Sequence, residues 1–226
     1  MIDFDPVRFF TMIGVILLGL SIHEFAHAKL ADVAGDPTPR IYGRVTLNPL
    51  SHLDPTGTIM IFLSSLTGFG IGWGRPVPMN PGKMKNPRWD HFAAVAAGPL
   101  SNLVQATIYA VLLRVLLQTG SVSPAAAELA LGFGGFLPFL LVVGVFINVA
   151  LCLFNLIPLG PLDGHWLVGA FLPEPSRIKW YLWNRQAGGF VLLMVIIIGQ
   201  MNPQFNLIGT VLLPVSQTIF RFLVGV

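Results

Sequence analysis

Long stretches without a charged residue organise this chain. Fourteen uncharged residues separate Arg8 from His23, and the apolar pattern continues through Ala26, Ala28, Leu30 and Ala31, predicting a first helix. Further uncharged runs hold 20 residues between Asp54 and Arg75, 23 between Asp90 and Arg114, 34 between Glu128 and Asp163, and 35 between Arg185 and Arg221. A bilayer span needs about 20 mostly apolar residues. The last run would be about 50 Å long as one helix, so Asn202-Pro203 is expected to divide it into two spans. The run after Asp54 differs in kind. Gly57, Gly68, Gly70, Gly72, Ser64 and Ser65 make Thr56 to Trp73 a poor simple crossing, and a re-entrant element fits it better. Arg40 to Leu50 and Pro76-Val77-Pro78 read as short extended pieces bounded by turn residues.

Composition agrees. Apolar residues make up 54% and charged residues 10%, against roughly 25% charged in soluble domains. Mean hydropathy is +0.74. Such a chain cannot cover a soluble fold with charge, nor is it disordered. The expected fold is an all-α polytopic membrane protein. It has five to six transmembrane helices, one re-entrant element and short β segments on the cytoplasmic side, with residues 1–226 as a single integral-membrane domain. A net charge of +3 argues against nucleic acid and leaves the lipid bilayer as the surrounding partner. The lone Cys152 permits no internal disulfide and no zinc ribbon. Asp3 and Asp5 give the N-terminus the wrong charge for a cleaved signal peptide.

Lys and Arg set orientation. Arg75, Lys83, Lys85 and Arg88 place one connection in the cytoplasm, and Arg177, Lys179 and Arg185 place a second there. The linker Gln118 to Ala130 and the break at Asn202 hold neither residue and are expected outside. The span starting near His91 then runs in-to-out, and Phe136 to Leu156 runs out-to-in.

The first helix carries His23-Glu24-Phe25-Ala26-His27, an HExxH pentapeptide. Histidines at i and i+4 share one helix face and can bind one metal ion, with the adjacent Glu near the open coordination position. Each charge at the bilayer centre costs about 2.5–3.5 kcal/mol on insertion scales, so this cluster needs a partner. A catalytic zinc usually has three protein ligands. Candidates for the third are Asp32, Asp54, Glu128 and Asp163. Asp32 and Asp54 sit in a polar connection where turn or cap roles are the default, and Glu128 sits in the external linker. Asp163 ends the 34-residue run among Pro158, Gly160, Pro161 and Gly164, which discourage regular helix. Irregular backbone at that depth needs protein or a water-filled cavity around it.

HExxH in a membrane helix, followed far downstream by Asn155-x-x-Pro158-x-x-x-Leu162-Asp163-Gly164, resembles the site-2 protease family of intramembrane zinc metalloproteases. Gly98-Pro99-Leu100-Ser101-Asn102 resembles the family's GPxxN segment. Tyr42-Gly43-Arg44 through Asn48-Pro49 and His52-Leu53-Asp54-Pro55 to Gly57-Thr58, with Pro76-Val77-Pro78-x-Asn80-Pro81, is similar to compact prokaryotic members without PDZ or CBS domains. The resemblance implies one zinc ion per chain held by His23, His27 and Asp163, with Glu24 as general base. It also implies cleavage of a peptide bond in or near the transmembrane segment of a single-pass membrane protein, with prior cleavage by another protease as an option. The implied location is the prokaryotic cell (inner) membrane, with the active site toward the cytoplasm. The chain departs from the family in that no complete span is expected before the HExxH helix.

Asn155 is a candidate donor to the reaction's oxyanion, or else a helix-terminating or interhelical contact. Asn102 and Asn148 are candidates for polar contacts between helices. His165 reads as interfacial packing or a second-shell hydrogen bond. For His27 to reach Asp163, the first helix must also run out-to-in, and Thr56 to Trp73 then begins and ends inside. The segments near Ile41 to Leu47 and Pro76 to Asn80 are candidates for pairing with unwound substrate by strand addition. A competing reading is an inactive membrane scaffold or a transporter on the same fold.

Overall fold

The computed structural model describes residues 5–67, 72–122 and 135–225. Gly68, Gly70, Glu128 and the predicted external linker from residue 123 onward lie outside them. Helix α1 (Pro6–Val33) begins where Asp5 accepts hydrogen bonds from the amides of Val7 and Arg8 at 2.9 and 3.2 Å, with Pro6 in the first turn. It ends before Gly35, whose φ of 107° a side chain would strain. There follow α2 (Thr38–Ile41), α3 (Pro55–Thr67), α4 (Trp89–Gln118), α5 (Phe136–Asn155), α6 (Asp163–Phe171), α7 (Ser176–Met201) and α8 (Leu207–Val224). Five of these, α1, α4, α5, α7 and α8, are long and apolar enough to cross a membrane, and α3 at 13 residues is not.

Helix α4 packs against α1, α5, α6 and α8. It runs antiparallel to α1, since Asn102 meets Gly19 and Ala94 meets His27. Helix α5 runs parallel to α1, with Asn148 and Leu151 beside Gly19. These are the relative directions required by the charge pattern. Small residues allow the close approach, which is how helices associate where lipid removes the hydrophobic driving force. A Cβ on Gly19 would lie 3.0 Å from Leu151, and one on Gly144 would meet the Tyr109 ring at 2.5–2.7 Å. Farther along, Ala106, Ala110 and Leu113 of α4 join Leu141, Val142, Val145 and Val149 of α5 in a buried cluster.

Helix α8 closes this cluster in an unexpected direction. Phe220 stacks on Phe146 at 4.3 Å, and Arg114 donates to the Val224 carbonyl at 2.9 Å. The end of α8 therefore lies beside the last turns of α4. The charge pattern put it on the side of Asp163. The physical reason is Arg114, a lone cation in an apolar helix, which finds its acceptor at the C-terminal end of α8. Helix α7 also begins earlier than expected, at Ser176, and passes Arg185 through a π turn at Asn184–Gly188.

The predicted re-entrant element keeps its main feature. Asp54 caps α3 by accepting from the Gly57 amide at 2.8 Å. Gly72 lies against Ile61, Trp73 against Gly57, and Leu53 bridges Gly74 antiparallel, so the chain has returned to where it left. The expected β segments are corrected: that bridge is isolated, and no strand forms among the described residues. Arg40 and Ile41 end α2, Gly43 turns the chain at φ 67°, and the amides of Arg44 and Thr46 are spent on local carbonyls. This stretch forms turns where an extended piece was expected, and Pro76 and Pro78 remove two donors from the other segment.

Polar side chains tie these connections to α1. Buried Asp36 accepts from the Asn80 amide at 2.5 Å and from the Thr38 amide and hydroxyl at 3.0 and 2.5 Å. Burial alone would raise its carboxyl, but these donors outweigh it and hold it below the usual range. The Lys85 amide bonds the Ala34 carbonyl at 3.1 Å. The loop before α4 is thus fastened to the end of the histidine-bearing helix.

The packing predicts opposite outcomes for two glycines. Gly144→Val forces methyl groups into the Tyr109 ring and should cost about 1–3 kcal/mol, read as a lower Tm in detergent. Gly14→Ala, with nothing within 4 Å of its Cβ, should bring no loss. Equal Tm values for the two variants would contradict the packing.

Candidate metal centre

The two histidines of α1 are oriented by hydrogen bonds on their far sides. His27 Nδ1 lies 2.8 Å from the Ala94 carbonyl, which can only accept, so Nδ1 carries the proton. His23 Nδ1 lies 2.6 Å from Asn102 Oδ1. That amide's orientation is settled by its other partners. Asn102 Nδ2 donates to the Gly19 carbonyl at 3.2 Å and to Asn148 Oδ1 at 3.1 Å, and Asn148 Nδ2 donates to the Gly144 carbonyl at 2.9 Å. Two backbone carbonyls anchor the chain of amides, so Oδ1 of Asn102 faces a proton on His23 Nδ1. Both Nε2 atoms are left as bare acceptors, the tautomer a metal ligand needs.

Asp163 is the first residue of α6, where a carboxylate also faces the positive end of the helix. Its Oδ2 lies 3.1 Å from His23 Nε2 and 3.4 Å from His27 Nε2, and the two Nε2 atoms are 3.0 Å apart. Oδ2 is buried and has no hydrogen-bond donor. Three acceptor atoms thus converge within 4.8 Å in a mostly buried site. Lone pairs so placed repel unless a cation lies among them, and two imidazoles with one carboxylate suit zinc. The residues therefore fit the metal.

Glycines make the convergence possible. A Cβ on Gly98 would collide with His27 and come within 2.7 Å of His23 Nε2, and one on Gly164 would strike the carbonyls of Leu156 and Ile157. The irregular segment before Asp163 is held from α7. Asn184, buried in the π turn, accepts from the Gly160 amide at 2.7 Å. Arg88 fixes the other end of α6, donating to the carbonyls of Ala170 and Leu172 at 2.6 and 3.3 Å.

Glu24 is partly exposed, and its Oε2 accepts from the Val77 amide at 3.1 Å. Asn155 is not turned to the other groups: its amide donates to the Leu151 carbonyl of its own helix at 2.9 Å. His165 packs as expected, its Nδ1 on the Leu162 carbonyl and its ring against Trp166 at 4.6 Å. Burial lowers its basicity. Asp32, a candidate for the third ligand, pairs with Arg40 at 2.6 Å instead. The sequence marks Asn102 and Asn148 as interhelical contacts without linking either to His23, names Val77 only within an extended segment, and gives no signal for Asn184. Asn102 had a findable signal, since it lies in the segment Gly98 to Asn102 that also carries the essential glycine.

This geometry makes Gly98 a test of the site. Gly98→Val should displace both imidazoles and lower bound zinc at least about tenfold, measured as metal per folded chain. Undiminished zinc would contradict the close approach of α4 to the histidines.

Comparison with known proteins points the same way. Over 187 residues, covering 83% of this chain and 80% of the relative, it is 35% identical to a Bacillus subtilis protein named "Putative zinc metalloprotease YwhC". Over 202 residues, covering 86% of this chain and 71% of the relative, it is 29% identical to a Mycolicibacterium smegmatis protein named "Putative zinc metalloprotease Rip2". No family model matches the chain, and no solved structure does. Likeness at this level over most of both lengths means that the chain belongs to the site-2 protease family of zinc metalloproteases.

Proposed function

We propose that the protein is an intramembrane zinc endopeptidase, hydrolysing a peptide bond in or near the transmembrane segment of a single-pass membrane protein. The observation that carries this reading is the convergence of His23 Nε2, His27 Nε2 and Asp163 Oδ2 on one point, on helices apolar enough to span a bilayer. The residue after the first histidine is a carboxylate, Glu24. Family membership supports the same chemistry.

In this reading His23, His27 and Asp163 hold one zinc ion per chain. When bound, zinc supplies Lewis acidity that acidifies water and polarises a carbonyl. Glu24 takes the proton from the attacking water and delivers it to the leaving amine. The Val77 amide holds Glu24 Oε2, so that Oε1 is the oxygen left for proton transfer. Asn102 and Asn148 keep His23 in the required tautomer, and the Ala94 carbonyl does so for His27. Asn155 donates to the oxyanion, for which its amide must leave the Leu151 carbonyl. A helical substrate hides its scissile bond, so it unwinds before hydrolysis. The protein acts in the prokaryotic cell (inner) membrane with its site toward the cytoplasm, a placement supported by Arg75, Lys83, Lys85 and Arg88 on the loop leading into α4.

The test is cleavage of a single-pass membrane reporter by the purified, zinc-loaded protein in detergent. Glu24→Gln should retain zinc and lose about 10²–10⁴-fold in kcat. Asn155→Ala should retain zinc and lose about 10²-fold. Cleavage by the Glu24→Gln protein would overturn the mechanism, and an unchanged kcat in Asn155→Ala would remove that residue from it.

A further inference from the structure

Arg44 is 4% exposed, yet both of its hydrogen bonds go to carbonyls and neither to a carboxylate. Nη1 donates to Ser51 O in a short contact and to Arg75 O at 3.3 Å. Burying a guanidinium is costly, and a site that holds one this way gains something from its fork of donors. Around it the chain closes on itself. The fully buried His52 places Nε2 2.7 Å from the Thr46 carbonyl, and its own carbonyl accepts from the Arg75 amide at 2.7 Å. Leu53 bridges Gly74 one step farther on. Three passes of chain, at 44–46, 51–53 and 74–75, are thereby bound at one point.

The segment leaving this knot runs past Glu24. Gly74 is close enough that a Cβ there would sit 3.6 Å from Glu24 Oε1, and two residues beyond Arg75 the Val77 amide donates to Glu24 Oε2. Beyond that, the Asn80 amide is caught by Asp36. Residues 74–80 thus form a strap tied at both ends, by Arg44 and His52 on one side and by Asp36 on the other. Pro76 and Pro78 stiffen it on either side of the one amide that touches the carboxylate.

We propose that Arg44 is a positioning residue for proton transfer: through the Ser51 and Arg75 carbonyls it sets the strap whose Val77 amide orients Glu24. The guanidinium's hydrogen bonds go to backbone carbonyls and none goes to His23, His27 or Asp163, so its influence on the strap travels through backbone. The inference rests on Glu24 acting as the base, as proposed above.

Two measurements test it. In a Cys152→Ala background, a cysteine placed by Val77→Cys keeps the backbone amide and reports the strap by its rate of maleimide labelling. Arg44→Gln should raise that rate about tenfold or more, Arg44→Lys should raise it less, and zinc per chain should stay the same in both. An unchanged rate would overturn the proposal. In the cleavage assay Arg44→Gln should lower kcat about tenfold with KM held, as for one lost charge-assisted hydrogen bond. Val77→Pro, which removes the amide donor and leaves the knot in place, should lower it as much. If Arg44 acts through that amide, the double variant is no slower than the slower single variant. Multiplied losses would overturn the proposal. Full activity in Glu24→Gln would instead defeat the reading of the base, and the labelling result would still decide whether Arg44 holds the strap.

Discussion

Three acceptor atoms, two imidazole nitrogens and one carboxylate oxygen, face one another inside a helical membrane protein. The Nδ1 protons of both imidazoles point away from this point, to Asn102 and to the Ala94 carbonyl. A metal cation among the three would relieve the repulsion of their lone pairs, and much of the chain serves to hold the three atoms together. Gly98 and Gly19 bring α4 and α5 close enough to α1 for amide and carbonyl groups to reach the histidines. Gly164 lets α6 begin against the carbonyls that end α5. Asn184 and Arg88 then fasten α6 and the segment before it from two neighbouring helices.

The polar connections between α1 and α4 extend the same logic to Glu24. The proposed role of Glu24 asks for a carboxylate held without being tied up, and here a single backbone amide holds one oxygen. That amide sits on a strap fixed by a buried arginine at one end and a buried aspartate at the other. The site therefore has a rigid half, made by helices around the candidate ligands, and a strapped half, made by loops beside Glu24.

The histidine pair and Asp163 were readable because their chemistry is local: HExxH spacing puts two ligands on one face, and a carboxylate amid Pro and Gly at the end of an apolar run has few other uses. The five apolar helices were readable for the same reason, since a bilayer imposes length and composition on each span separately. The single return of the chain after α3 followed from balancing charge against depth. What could not be read depends on pairs of distant residues. Arg114 marks the end of an uncharged run in the sequence, yet in the fold it meets the end of α8, in a direction that no charge rule contains. The stretch after Arg40 looks extended by composition, but its amides close turns around Arg44. Asn184 has no local pattern at all, because its partner is a glycine amide 24 residues away.

The measurement that bears most directly on this account is the metal content of the detergent-purified protein beside an Asp163→Ala variant. The account predicts about one zinc per wild-type chain, sharply reduced in the variant although both histidines remain. Equal zinc in the two proteins would contradict it, leaving the histidines as ligands and removing the aspartate that joins the two distant motifs into one site.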